Sequence, residues 1–324
     1  MQFYDFFQNK NTLFSIQGLR AVAASGVVIA HFISNLFEEN TKGKDGDAAA
    51  PEPGLPKGFY PNETKSIISL SASSSPSQPS QRISMSRPEL KILFCYQDVT
   101  NIITNYMKLQ GKGRKIDILE AGCGRMWEFP DLGIQYRLTG VDADKDALAF
   151  RKNEQKDLDE AIFGDLRTVN LPQNSFDIIY SSYVLEHIAG TEAVLKKFVN
   201  WLRPGGILIL KLPDQDSVSG FLTRATPHWF HVFVYRYIKG KPMAGTPGHG
   251  PYQTFYEKAI SKKSILEFAE DNQLQIKVMC GYHNDISRSF GLLSRLIEFL
   301  SRGKLHADYA DILYIFEKQI RSAV

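Results

Sequence analysis

Three groups of side chains in this sequence stand where reactivity or ligand binding is expected. The first follows an apolar run that passes directly into glycines: Ile118-Leu119-Glu120-Ala121-Gly122-Cys123-Gly124. Glycine at such a turn lets the backbone bend sharply and approach a ligand with no Cβ in the way. A dinucleotide loop reads G-x-G-x-x-G, its third glycine letting helix and strand pack closely. Here Trp127 holds that third place, which argues against a nicotinamide or flavin dinucleotide. A shorter loop carrying an acid, with no pyrophosphate to cradle, suits a sulfonium ligand with an amino-acid tail. Glu120 would then sit near the tail's ammonium. The second group is a pair of acids closing later apolar runs, Asp142 in Gly140-Val141-Asp142 and Asp165 in Gly164-Asp165-Leu166. Taken singly, each acid also reads as an ordinary turn residue. The third group is His187, His228, His231 and His249. Imidazole titrates near neutrality and so suits a general base, although each histidine also reads as a hydrogen-bonded structural residue.

The elements that must position these groups begin near Pro88. Residues 90–109 read as a leading helix. Short apolar strands are expected at 116–120, 136–142, 161–165, 176–181 and 207–213, with helices at 144–155 and 191–202. Further strands are expected at 275–281 and 311–317. Strands alternating with helices of this length imply βαβ units and a parallel sheet. The expected fold is α/β: a doubly wound, seven-stranded, mostly parallel sheet with helices on both faces and the last strand antiparallel. Leu132, Leu138, Ile178, Ile179, Leu208 and Leu210 are the expected core, and Cys123 a small filler.

In order along the chain, Glu120 to Gly124, Gly140-Val141-Asp142, Gly164-Asp165-Leu166, Phe176 to Ser182, Val184-Leu185-Glu186-His187-Ile188 and Leu202 to Leu208 resemble the motifs of the class I S-adenosylmethionine-dependent methyltransferases. The Leu-Glu-His triplet is similar to the signature of one large subgroup of that Rossmann-like fold, the type 11 methyltransferases. The resemblance implies S-adenosylmethionine as cofactor, held by Glu120, Gly122, Gly124, Asp142, Asp165, Leu166 and Ser181. Asp142 would accept from both ribose hydroxyls, and Asp165 would face the adenine amino group. Two departures stand out. Met126 replaces a third glycine common among relatives, and Pro130 should shorten or kink the helix after the loop.

In open parallel sheets, acceptor groups gather beyond the carboxyl ends of the strands, so the long segment 213–256 is the expected acceptor face. Thr226-Pro227 reads as a helix start and Gly240 as its stop. On that helix His228, His231 and Tyr235 share one face. The stretch Thr226 to His231 is similar to a pattern in a methyltransferase subgroup of glycan and lipid biosynthesis. No metal site is expected, because His228, His231 and His249 lack a completing carboxylate or thiolate at the usual spacing. The expected reaction is O-methylation of a small hydroxylated acceptor such as a sugar or lipid-linked glycan. The alternatives are a non-catalytic S-adenosylmethionine-binding module and an aminopropyltransferase-type enzyme on the same fold.

The 324 residues, 43% apolar with a net charge of +3, allow one sizeable core plus extensions and give no reason to expect a nucleic-acid partner. Three scattered cysteines suggest free thiols in a reducing, cytoplasmic setting. Residues 1–40 form an expected apolar helix whose stretch 13–37 resembles the first helix of integral-membrane sugar acyltransferases. Arg20 and His31 interrupt it, which favours a peripheral membrane anchor over a span. Residues 41–87, rich in Ser, Pro and charge, read as a disordered linker, and residues 88–320 as the catalytic domain. Arg288, Arg295 and Arg302 recur every seven residues over 287–302, opposite an apolar stripe. The stretch reads either as a helix packed on the sheet edge or as one that touches anionic lipid.

Overall fold

Side chains alternate along the central strands, and each of the two sets meets its own layer of helices. The structure, a computed structural model, describes residues 89–320 apart from 239, 247–248, 256 and 284–290. The expected N-terminal helix (1–40) and linker (41–87) lie outside the described residues, as does Arg288. The sheet is built from β1 (Lys91–Leu93), β2 (Ile116–Ala121), β3 (Tyr136–Asp142), β4 (Glu160–Phe163), β5 (Phe176–Ser182), β6 (Leu202–Pro213), β7 (Leu274–Tyr282) and β8 (Asp311–Lys318). The strand order is β1-β7-β8-β6-β5-β2-β3-β4. Only β8 runs antiparallel to its neighbours, β6 and β7.

Leu119, Ala121, Ile179, Leu208 and Leu210 point to one face, together with Val194, Leu195, Phe198 and Trp201 of α3 (Thr191–Trp201). Ile116, Ile118, Ile178, Tyr180, Ile207 and Ile209 point to the other, with Val99, Ile103 and Met107 of α1 (Tyr96–Gln110). This period-two alternation is what a sheet covered on both sides demands. All six expected core residues are buried. Each such aliphatic side chain contributes about 1.5–3 kcal/mol relative to leaving it in water.

The chain moves outward from β2 through β3 to β4, then returns to place β5 on the other side of β2. The crevice at this reversal is where doubly wound sheets bind ligands.

The architecture departs from the sequence expectation in four places. Residues 91–93, read as the start of a helix, form an edge strand paired in parallel with β7, Lys91 opposite Cys280. The sheet therefore has eight strands rather than seven. No helix follows the glycine loop, where Pro130 suggested a shortened one: residues 122–135 are irregular, and Trp127, Phe129 and Leu132 fold onto the sheet instead. The aromatic pair packs edge-on against Tyr180 at 5.8 and 5.3 Å between ring centres. The segment 213–256 holds two helices, α4 (Val218–Ala225) and α5 (His228–Phe233), the latter continuing as a wider turn over Val234–Ile238. Pro227 stands just before α5 rather than as its first residue. Last, the described part of the arginine-bearing helix, Gly291–Leu300, ends before Arg302, which has a positive φ of 55°. Two further helices, α2 (Lys145–Phe150) and α6 (Lys262–Asp271), complete the layers. Among the described residues no helix is long and apolar enough to cross a membrane.

Candidate active site

The glycine turn is shaped by close approach. At Gly122, φ is +74° and a Cβ would lie 2.4 Å from a methyl of Val184. Gly124 is the converse case: its φ is +52°, and a Cβ there would meet no atom within 4 Å, because the space beyond it is open cavity. Its N–H donates to Asp142 Oδ2 at 2.8 Å, and the Asp144 N–H donates to Oδ1 at 2.8 Å. One lone pair on each Asp142 oxygen is thereby fixed, and the remaining acceptor capacity is left for a ligand.

A cavity of about 1120 Å³ opens at the carboxyl ends of β2, β3, β4 and β5. Gly122, Gly124, Asp142, Asp165, Leu166 and His187 line it. Asp165 is clasped by Arg167, whose bonding holds its carboxyl below the ordinary range, so that it stays ionised.

Glu120 and Ser181 stand elsewhere. Glu120 is buried and turned onto Arg151, which is fully buried at 2.9 Å. Burial raises the Glu120 carboxyl to about 8, against the opposing pull of Arg151. Arg151 also donates to the Cys123 carbonyl at 2.8 Å and to Asp157. Its guanidinium therefore braces the glycine loop from beneath, and Glu120 is a positioning partner there rather than part of the cavity wall. Ser181 is buried in β5, its Oγ without a partner. Cys123 is buried, burial raises its thiol, and none of the three cysteines is in a disulfide. Among the described residues no cluster of three His, Cys, Asp or Glu could hold a metal ion.

Of the four histidines, His187 alone lines the cavity. Its Nδ1 lies 2.8 Å from the Gln253 carbonyl, which can only accept, so Nδ1 carries the proton and Nε2 the lone pair. Burial lowers its pKa, leaving a neutral imidazole at pH 7. His231 is instead bonded to Thr226 through Nε2 at 2.7 Å. His228 is exposed at the start of α5, and His249 lies by Thr246.

The structure adds residues that sequence reading passed over. Tyr183 falls between two motifs, yet it lines the cavity, at a φ of +54° and with its hydroxyl 2.8 Å from that of Tyr282. Tyr252, Gln253 and Phe255 close the far wall. They are tied to the Leu185–His187 turn by the Phe255 N–H on the Glu186 carbonyl at 2.8 Å, and by the Tyr252 ring edge-on to His187. These three fall within the segment 213–256 expected as the acceptor face, although sequence reading singles out none of them there.

Residues 119–210 match the profile of the methyltransferase domain family. The chain carries a methyltransferase domain. The match does not reach residues 13–37 and lends no support to the acyltransferase likeness there. Over 115 residues, the methyltransferase segment is 27% identical to a probable S-adenosylmethionine-dependent methyltransferase of Mycolicibacterium smegmatis, covering 35% of this chain and 44% of the relative. It is 23% identical over 207 residues to a ubiquinone biosynthesis O-methyltransferase of Rickettsia prowazekii, covering 62% and 73%. A solved structure of a putative sarcosine dimethylglycine methyltransferase from Galdieria sulphuraria is also similar, with a TM-score of 0.45 and 13% identity over 69% of this chain and 86% of that one. The chain spans from about a third to just over half the length of several curated relatives.

The cavity fits S-adenosylmethionine, the cofactor that the sequence motifs imply. The open side of Gly124 admits a ligand against bare backbone, and the pre-oriented Asp142 carboxylate suits a ribose diol. When bound, S-adenosylmethionine would supply an electrophilic methyl carbon, held by the open backbone at Gly124 and the Asp142 carboxylate.

Proposed function

We propose that this chain transfers the methyl group of S-adenosylmethionine to a hydroxyl of a small acceptor, of the sugar or lipid-linked glycan class. The observation that carries this reading is the continuity of the cavity. Its wall runs from the Gly122–Gly124 turn and Asp142 to the Leu185–His187 turn without leaving the carboxyl ends of the strands. One side can thus hold a nucleoside while the other meets an acceptor. In-line displacement asks mainly for alignment of the two reactants. Methyl transfer to oxygen also needs a group to take the proton, and the Leu185–His187 turn offers both a neutral imidazole and a carboxyl. The likeness to a relative named as an O-methyltransferase supports the same direction.

The apolar surface is consistent with a lipid-linked acceptor. Trp229, Phe233 and Tyr237 are exposed at four-residue spacing, and Leu296, Phe299 and Leu300 are exposed on the helix at 291–300. Arg295 is committed to Glu298 and Asp308, so lipid contact there would rest on apolar side chains more than on charge. We read residues 88–320 as the catalytic domain facing the cytosol and residues 1–40 as a peripheral anchor.

Radiolabelled S-adenosylmethionine offered with panels of sugars, lipid-linked glycans, phenols and amines tests the assignment. Label should pass to hydroxylated acceptors. Transfer confined to amines or to carbon would overturn O-methylation while leaving the cofactor assignment intact.

A further inference from the structure

A second cavity, of about 170 Å³, lies beside the first and shares Tyr183 with it. The two walls interleave along the chain. Glu186 lines the small cavity and His187 the large one; Thr254 lines the small one between Gln253 and Phe255 of the large one. The rest of the small wall comes from Pro213 at the end of β6, Ser219, Gly220 and Thr223 of α4, and Ala310 and Asp311 at the start of β8. A cavity of about 150 Å³ accommodates one six-membered carbon ring, so this one holds a single ring and little more.

Glu186 is the unexplained group in it. Its side chain is 4% exposed, and Oε2 has no hydrogen-bond partner. A carboxyl so buried and unpartnered is costly unless the site exists to present it. We propose that this cavity is the acceptor subsite, that it takes one hydroxyl-bearing ring, and that Glu186 removes the proton of the hydroxyl that is methylated. This inference rests on the methyltransferase reading above.

The step balances without any further reactant. The hydroxyl O–H bond breaks as its proton passes to a Glu186 carboxylate oxygen. The hydroxyl oxygen forms the new bond to the methyl carbon, the carbon–sulfur bond breaks with its pair going to sulfur, and Glu186 later returns the proton to water. The titratable neighbours are Asp311 across the cavity, Tyr183 on the shared wall and His187 on the same turn, its Nε2 3.9 Å from Glu186 Oε1. Burial, assisted by Asp311, raises the carboxyl to about 8, close to working pH, as a general base requires. Ser219, Thr223 and Thr254 stand around the rest of the wall, residue types suited to a ring that bears further oxygens.

Calorimetry on the full chain with S-adenosylhomocysteine, followed by catechol or methyl α-glucoside, tests the subsite; the two probes separate an aromatic from a saturated ring. One probe should bind. At about pH 9, above the raised pKa of about 8 where Glu186 is a carboxylate, Glu186→Gln should weaken it about tenfold, the loss expected for one hydrogen bond to a charged group. Ser219→Leu, which fills the cavity without touching Glu186, should abolish binding. Both variants should keep S-adenosylhomocysteine affinity, which also reports folding. Infrared spectra should show a protonated carboxyl band at pH 7 that is absent in Glu186→Gln and shifts when the probe binds. If S-adenosylhomocysteine binds but neither ring does, or if both variants bind the ring as the parent does, the subsite is wrong and the methyltransferase reading stands. If S-adenosylhomocysteine itself fails to bind, both fall.

Discussion

Asp142, Glu120 and Glu186 show how three carboxyls in and around the two cavities acquire different tasks. Asp142 holds one backbone N–H on each oxygen and presents what is left to the cavity. Glu120 is committed to Arg151. Glu186 has burial and no partner on Oε2, and its raised pKa carries a stability consequence. A carboxyl whose pKa rises from 4.5 unfolded to about 8 folded binds its proton more tightly in the native state. Its contribution is complete below pH 4.5 and is lost as pH rises to about 8. Urea unfolding of parent and Glu186→Gln across that range should show the parent losing stability relative to the variant. Parallel curves would mean that Glu186 ionises as an exposed glutamate does. Two of these carboxyls were legible in the sequence as site candidates because they end strands. Glu186 was visible only as a letter of a motif, since nothing in the sequence says that its neighbours leave it unpaired.

The glycine turn depends on a brace that arrives from another element. Arg151 follows α2, and its guanidinium joins Glu120 of β2, the Cys123 carbonyl and Asp157. Removing one partner of a buried pair strands the other. Arg151→Met should therefore cost about 3–5 kcal/mol in urea unfolding and loosen cofactor binding. The double variant Glu120→Gln/Arg151→Met should recover much of that loss; additive losses would show that the pair is not coupled. Strand positions were readable because burial on both faces imposes apolar runs with sharp glycine ends. The crossover at 122–135 was not: Pro130 signalled a broken helix, but only packing reveals that Trp127 and Phe129 fill its place against Tyr180. The edge strand β1 was equally hidden. Residues 91–93 become a strand through backbone pairing with β7, from far along the chain.

At the level of the whole chain, the switch point between β5 and β2 gathers residues separated by more than a hundred positions into one cavity, and the ordered motifs made that visible in sequence. The wall made by Tyr252 and Phe255 was less so, because both are placed by contacts to the Leu185–His187 turn rather than by any periodicity. The proposed anchor also belongs here. Full-length protein should fractionate with membranes and a chain beginning near residue 86 should not; equal solubility would remove the anchor. The central claim, a cofactor site organised by Asp142 beside Gly124, is tested most directly by calorimetry with S-adenosylhomocysteine. The parent chain should bind it and not NAD. Asp142→Ala should lose about 2–3 kcal/mol through its charged hydrogen bonds. Unchanged affinity in Asp142→Ala, or no binding by the parent, would contradict the account.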